Sequence, residues 1–185
     1  MRTRRLFGVL IFAIPVVLAA ATYALADDGG RNRFKGETLS GYQEVVGPGP
    51  ISTTGTGTFE ATLTSAGNEI SYRLTYSALE GGAVTQAHIH FGQRSVGGSV
   101  VAFLCGGGGK PACPASPATV TGTIVPADIG TPGSAAQGIE TGSFEEAVRA
   151  LRAGAIYANV HTTRWPAGEI RGQINDRQGN NQNED

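Results

Sequence analysis

The chain predicts an all-β domain: an antiparallel β-sandwich or Greek-key barrel with one short helix near its C-terminal end. Three observations carry this. At least five segments alternate apolar and polar residues with the period of two that sends successive side chains to opposite faces of a strand. Glycine is abundant, 28 of 185 residues, and lies with proline, asparagine and serine between those segments, where turns are needed. Only one stretch carries a helical period.

The elements follow in order. Residues 1–26 read as an export signal: three arginines within Met1–Arg5, an apolar run from Leu6 to Ala21, and the small residues Ala24-Leu25-Ala26 at a cleavage site. An uncleaved signal segment is the one route to a membrane that the chain offers, and Arg4-Arg5 also fits twin-arginine export. Removing residues 1–26 leaves 159 residues, one domain's worth, with 11 basic and 15 acidic side chains and a net charge of −4. No basic patch remains, which argues against a nucleic-acid partner. Residues 27–36 read as a flexible leader, 37–175 as the β domain and 176–185 as a disordered polar tail.

Within the domain, Leu39–Val45 reads as a strand stopped by Gly47-Pro48-Gly49-Pro50. Phe59, Ala61 and Leu63 share one face, as do Ile70, Tyr72, Leu74 and Tyr76 after the Ala66-Gly67-Asn68 turn, so these two segments form a hairpin. Val84–Phe91 follows Gly81-Gly82, and Ser99–Leu104 is a short apolar strand. Ala118–Val125 is next, then a long connection from Pro126 to Gly142. Ser143 with Glu146 three residues on is a capping-box pattern, and Phe144, Val148 and Leu151 recur at helical spacing before Gly154. Ile156–His161 and Glu169–Ile174 close the sheet, the latter with Ile170 and Ile174 inward and Glu169, Arg171 and Gln173 outward.

The histidines carry the candidate chemistry. In Ala87-His88-Ile89-His90-Phe91 the apolar residues take one face and both imidazoles the other. The third and last histidine, His161, shares the non-core face of its own segment with Tyr157 and Asn159. If the two strands are neighbours, His88, His90 and His161 meet. Neutral imidazole is the commonest protein metal ligand, and three suit one divalent transition metal: copper first, zinc as the alternative. Gln86, Tyr157 and Asn159 are candidates for the supporting shell. Ordinary imidazole titration would loosen such a site as pH falls through about 6.5. Cys105 and Cys113 flank a glycine-rich loop, and in an exported chain they read as a disulfide; a thiolate metal pair is the rival, but the spacing matches no common zinc pattern.

Four segments together resemble the CHRD domain family: Leu39-Ser40-Gly41-Tyr42-Gln43-Glu44-Val45, Ala87-His88-Ile89-His90, Tyr157-Ala158-Asn159-Val160-His161-Thr162 and Pro166-Ala167-Gly168-Glu169-Ile170-Arg171-Gly172-Gln173. The resemblance spans roughly residues 37–175. It implies an extracytoplasmic β-sandwich and leaves activity open. A local resemblance links His88-Ile89-His90-Phe91-Gly92 to the copper strand of Cu/Zn superoxide dismutase, with His161 as the later copper ligand. The sandwich is thus expected to be immunoglobulin-like or superoxide-dismutase-like. The chain departs from the dismutase pattern, having no fourth histidine and hence no bridging or zinc-site histidines.

Three functions remain open. The first is an exported metal-binding module on His88, His90 and His161. The second is a structural or adhesive module without metal, its protein partner unspecified. The least supported is a dismutase-like redox enzyme. No catalytic set is assigned: there is no Gly-x-Ser-x-Gly elbow, and Glu44 and Glu169 stand alone in the sequence. Periplasm, cell surface and medium all fit the export signal.

Overall fold

The structure is a computed structural model that describes residues 32–45 and 47–176. The signal segment, residues 27–31 of the expected leader and 177–185 of the expected tail lie outside the described residues. Among those described, no helix is long and apolar enough to cross a membrane.

Among the described residues, nine strands form one antiparallel sheet: β1 (Arg33–Gly36), β2 (Leu39–Ser40), β3 (Thr56–Leu63), β4 (Ile70–Ser77), β5 (Val84–Phe91), β6 (Ser99–Cys105), β7 (Ala118–Ile124), β8 (Ile156–Thr162) and β9 (Ile170–Asp176). The order across the sheet is β6-β5-β8-β9-β1-β3-β4-β7, with β2 pairing β3 and β9. The inner face encloses a single core. Phe59, Leu74 and Ile124 come to it from one half; Ile89, Leu104, Val160 and Ile174 come from the other. Tyr72 of β4 crosses that core and donates its hydroxyl to Leu104 O of β6 at 2.7 Å. The two halves therefore pack face to face, the expected sandwich. The alternation that predicts β3 and β4 is present in full, and their eight-residue register runs from Thr56↔Ser77 to Leu63↔Ile70.

Helix α1 (Pro132–Ala136) is a single turn inside the long connection, and α2 (Phe144–Arg152) is the one sizeable helix among the described residues. Phe144, Val148 and Leu151 of α2 enter the core. Its capping box does not form. Ser143 makes no side-chain cap bond, and Glu146 instead accepts from Glu140 N at 2.9 Å.

Two boundaries differ from the sequence expectation. Arg33–Gly36, expected within the leader, is a strand that buries Phe34 between β3 and β9; four residues of alternation amid polar chain are too few to distinguish. The strand expected over Leu39–Val45 stops at Ser40 and turns as a 3₁₀ helix over Gly41–Gln43. Gly41 O accepts from Ile51 N at 2.7 Å there, an approach so close that a Cβ on Gly41 would strike Ile51 O. This turn delivers Glu44 to the site.

The outer face of the sheet is divided. On β3, β4 and β7 it carries exposed Thr, Glu and Arg, as in the Thr58–Thr75 hydroxyl pair. On β5, β8 and β9 it is covered. Glu169, Arg171 and Gln173, expected to face outward, are on the predicted side of the strand but buried, as are His88, His90, His161 and Asn159. Loops fold across them, and the polar side chains hydrogen-bond the loop backbone. Arg171 Nη2 donates to Gln93 O and Val96 O, each at 2.9 Å. Gln173 Nε2 donates to Gly92 O at 3.0 Å and Gly154 O at 2.8 Å. Glu169 accepts from Thr53 Oγ1, Glu80 N and Gly81 N at 2.8, 2.7 and 3.0 Å. Buried loop backbone must find partners, and this second, polar layer supplies them.

Candidate metal centre

β5 and β8 are adjacent and antiparallel, with Gln86↔His161, His88↔Asn159 and His90↔Tyr157 in register. All six side chains share the covered face. His161 is thus diagonal to His88, within reach of a ring. The ring centroids lie 4.6 Å apart for His88–His161, 5.3 Å for His88–His90 and 6.1 Å for His90–His161. One ring nitrogen from each histidine lies within 4.8 Å of the others.

Hydrogen bonds decide which nitrogen each ring presents. His90 Nδ1 is 3.0 Å from Gly98 O, and His161 Nδ1 is 2.9 Å from Pro166 O. A carbonyl only accepts, so both Nδ1 atoms carry the proton and both Nε2 atoms carry a lone pair. His88 Nε2 donates to Gln86 Oε1 at 3.0 Å, which leaves the lone pair on Nδ1. That atom faces His90 Nε2 at 3.3 Å. The supporting bonds point outward and the lone pairs inward.

Burial keeps the rings neutral. It lowers His88 to about 3, with the neighbouring His161 and His90 adding to the effect. It lowers His90 to about 4 against the opposing Gly98 bond, and it also lowers His161. The expected loosening through pH 6.5, taken from free imidazole, therefore moves to lower pH.

The expected supporting residues all reach the cluster. Gln86 accepts from His88. Tyr157 stacks on His90, centroids 4.7 Å apart and planes 4° apart, while its hydroxyl accepts from Gly98 N. Asn159 Oδ1 is 2.7 Å from His161 Nε2. This last contact sets an acceptor against a lone pair, an arrangement that a cation between them would relieve. Phe103 closes the remaining side, edge-on to His88 at 4.5 Å.

Glu44, which stands alone in the sequence, is partnered here. Glu44 Oε1 accepts from Asn159 Nδ2 at 3.5 Å. Gly168, at φ +132, permits this, since a Cβ there would meet both Asn159 and Glu44. Burial pushes the Glu44 carboxyl up to about 7, against the smaller effects of Asn159 and Arg171. Arg171 lays its guanidinium on Tyr157, 3.4 Å from the ring centroid to Cζ. The sequence signal for Arg171 lay in β9, whose outward side chains are Arg and Gln where β3 and β7 carry mostly threonine. Cys105 and Cys113 are disulfide-bonded, as expected, with Cα atoms 5.0 Å apart. The bridge lies across β6 from the histidines and excludes the thiolate reading.

The CHRD domain family model matches residues 36–174. The chain belongs to the CHRD domain family. The match covers the sandwich from the end of β1 through most of β9 and includes every residue of the histidine cluster. Comparison with curated proteins and with solved structures finds no match. The CHRD fold here is an extracellular-type β module stabilised by a disulfide, and its three histidines are gathered on one covered strand face.

Proposed function

We propose that this CHRD domain is an exported metal-binding module that holds one transition-metal ion on His88 Nδ1, His90 Nε2 and His161 Nε2. One observation carries the reading: Gln86, Gly98 O and Pro166 O take up the ring protons on the far sides, so three lone pairs converge. Outer partners that fix tautomer and ring orientation are the usual support of a histidine metal site. Metal–imidazole bonds of about 2.0–2.1 Å set neighbouring ligand nitrogens about 3.4 Å apart in a tetrahedral site, and His88 and His90 already stand at 3.3 Å. Three imidazoles with an adjacent carboxamide oxygen favour copper over zinc in affinity. Bound there, copper would supply one-electron chemistry, and zinc would supply Lewis acidity. The disulfide supports an oxidising, extracytoplasmic setting.

The test is metal analysis of untagged protein purified from the periplasm or medium, followed by copper titration of the chelator-treated protein. One equivalent of copper bound, and none in a His90→Ala variant, is the expected result. A second reading has its own support. The Gly98 and Pro166 bonds also pin the covering loops, as a metal-free structural module would require. Absence of stoichiometric metal, with no copper-induced rise in Tm, would establish that reading instead.

A further inference from the structure

The sheet has two ends, and they are finished differently. At β6 the outer edge is capped: Gly130 N donates to Val101 O, Thr131 Oγ1 to Val100 O, and Ser99 N to Gln137 Oε1, each at 2.9 Å. At β7 it is open. Thr64 N donates to Glu69 O at the end of the β3–β4 hairpin, so these two residues form a hydrogen-bonding pair, and such pairs alternate along an antiparallel ladder. Ser71, Arg73 and Thr75 therefore bond β3. Ile70, Tyr72, Leu74 and Tyr76 bond their partners Ile124, Gly122, Val120 and Ala118 on β7. Thr119, Thr121 and Thr123 are left aiming N–H and C=O away from the sheet. Lys110 Nζ takes Thr123 O at 2.8 Å. Among the described residues, no hydrogen bond reaches the backbone N–H or C=O of Thr119 or Thr121. β7 also has no proline, no charged side chain and no bulge against β4, the devices that blunt an exposed edge.

Beside this edge lies a cavity of about 350 Å³ between β7 and the disulfide loop, with Tyr72, Leu104, Pro111, Pro114 and Val120 in its walls. Ala118 and Val120 point inward yet are only partly buried, whereas the inward-facing Phe59 and Leu74 of β3 and β4 are fully buried. We propose that β7 accepts an extended peptide as an added antiparallel strand, apolar at every second residue. The residues opposite Thr119 and Thr121 exchange backbone N–H···O bonds with them. The residues opposite Ala118, Val120 and Gly122 turn their side chains to the inner face, over the cavity. Main-chain bonds then supply affinity and the alternate side chains specificity. Two other occupants fit less well. A second β7 paired about Thr121 sets its Thr119 against Thr123, whose carbonyl Lys110 already holds; a separate peptide can end short of it. Residues 177–185 of this chain hold no apolar side chain for the cavity.

The proposal is independent of metal. The untagged exported protein is titrated against a labelled peptide of alternating valine and threonine, ended by lysines for solubility. Binding is read by fluorescence anisotropy, and amide hydrogen exchange is followed residue by residue. Saturable binding, slowed exchange at Thr119 and Thr121, and a protein that stays monomeric are expected. Methylating the threonine nitrogens, which pair with β7, should abolish binding; methylating the valine nitrogens, which face away, should not. Thr121→Pro removes an outward N–H and no bond to β4, so the strand should persist while binding weakens about tenfold or more. If that variant impairs folding, the two methylated peptides decide the matter with the parent protein. No saturable binding, equal binding of the two methylated peptides, unchanged binding in a folded Thr121→Pro protein, or a dimer that already protects Thr119 and Thr121 without peptide would overturn the proposal.

Discussion

His88 Nδ1 and His90 Nε2 face each other at 3.3 Å with no proton to share, because Gln86 Oε1 and Gly98 O have drawn the ring protons to the opposite sides. Two lone pairs at this distance repel unless a cation lies between them. Under the proposed function this pair holds a metal ion in place of a shared proton.

Removing the His90 ring should abolish stoichiometric copper uptake. It also deletes the Tyr157 stack and leaves a void, so His90→Ala should lower stability by about 1–3 kcal/mol while preserving the far-UV spectrum of a β protein. Calorimetric titration and thermal melts of the same preparation separate the two effects. Full copper binding by this variant would exclude the proposed site.

Gln86 tests the outer support. Gln86→Leu leaves His88 Nε2 without its acceptor and frees the ring to change tautomer. Copper affinity should fall about 10–100-fold with the stoichiometry unchanged. A competition assay against a chelator of known affinity reads this directly.

Acid should destabilise the metal-free protein. An unfolded histidine takes up a proton near pH 6.5, whereas His88 and His90 in the fold do so only near about 3 and 4. Between those values the unfolded chain holds more protons. The stability is therefore complete above about pH 6.5 and is lost as pH falls toward about 4, by up to about 1.4 kcal/mol per pH unit for each ring. Denaturant midpoints at pH 7.5, 6 and 5 should decline in that order. Proton competition within the fold begins only near about 4, so copper should still be bound at pH 5.5.

Glu44 has the opposite sign. Its folded value, about 7, lies above the ordinary 4.5. Its contribution is therefore fully present below about pH 4.5 and is lost as pH rises toward 7. Glu44→Gln cannot ionise. Relative to the parent, its Tm should improve more at pH 8 than at pH 5, and parallel melts at the two values decide the point.

The disulfide should matter to stability and not to the site. Closing the loop between Cys105 and Cys113 is worth about 2–3 kcal/mol in the chain-entropy model. The double variant Cys105→Ala/Cys113→Ala should lose roughly 4–12 °C in Tm. Its copper stoichiometry should be unchanged, since neither sulfur belongs to the cluster.

Alternation alone determined most of the sandwich and the shared face of the histidines. Side-chain direction in a strand depends only on parity, so Ala87 and Ile89 place His88 and His90 opposite the core whatever the partner strand. The cysteine pair and the α2 stripe are likewise local patterns. Parity is silent on what covers a face. That β5 lies beside β8, and that loops seal the histidines, Arg171 and Glu169 from water, are results of long-range packing. So is the Glu44–Asn159 contact, formed across 115 residues of chain. The same limit explains the misplaced ends at Arg33–Gly36 and Leu39–Ser40, where a few residues take their conformation from neighbouring strands and not from their own pattern. Sequence singled out the three histidines; tertiary structure decided their burial, their tautomers and the pH at which a proton binds them, because each depends on which backbone carbonyl comes to rest against which ring.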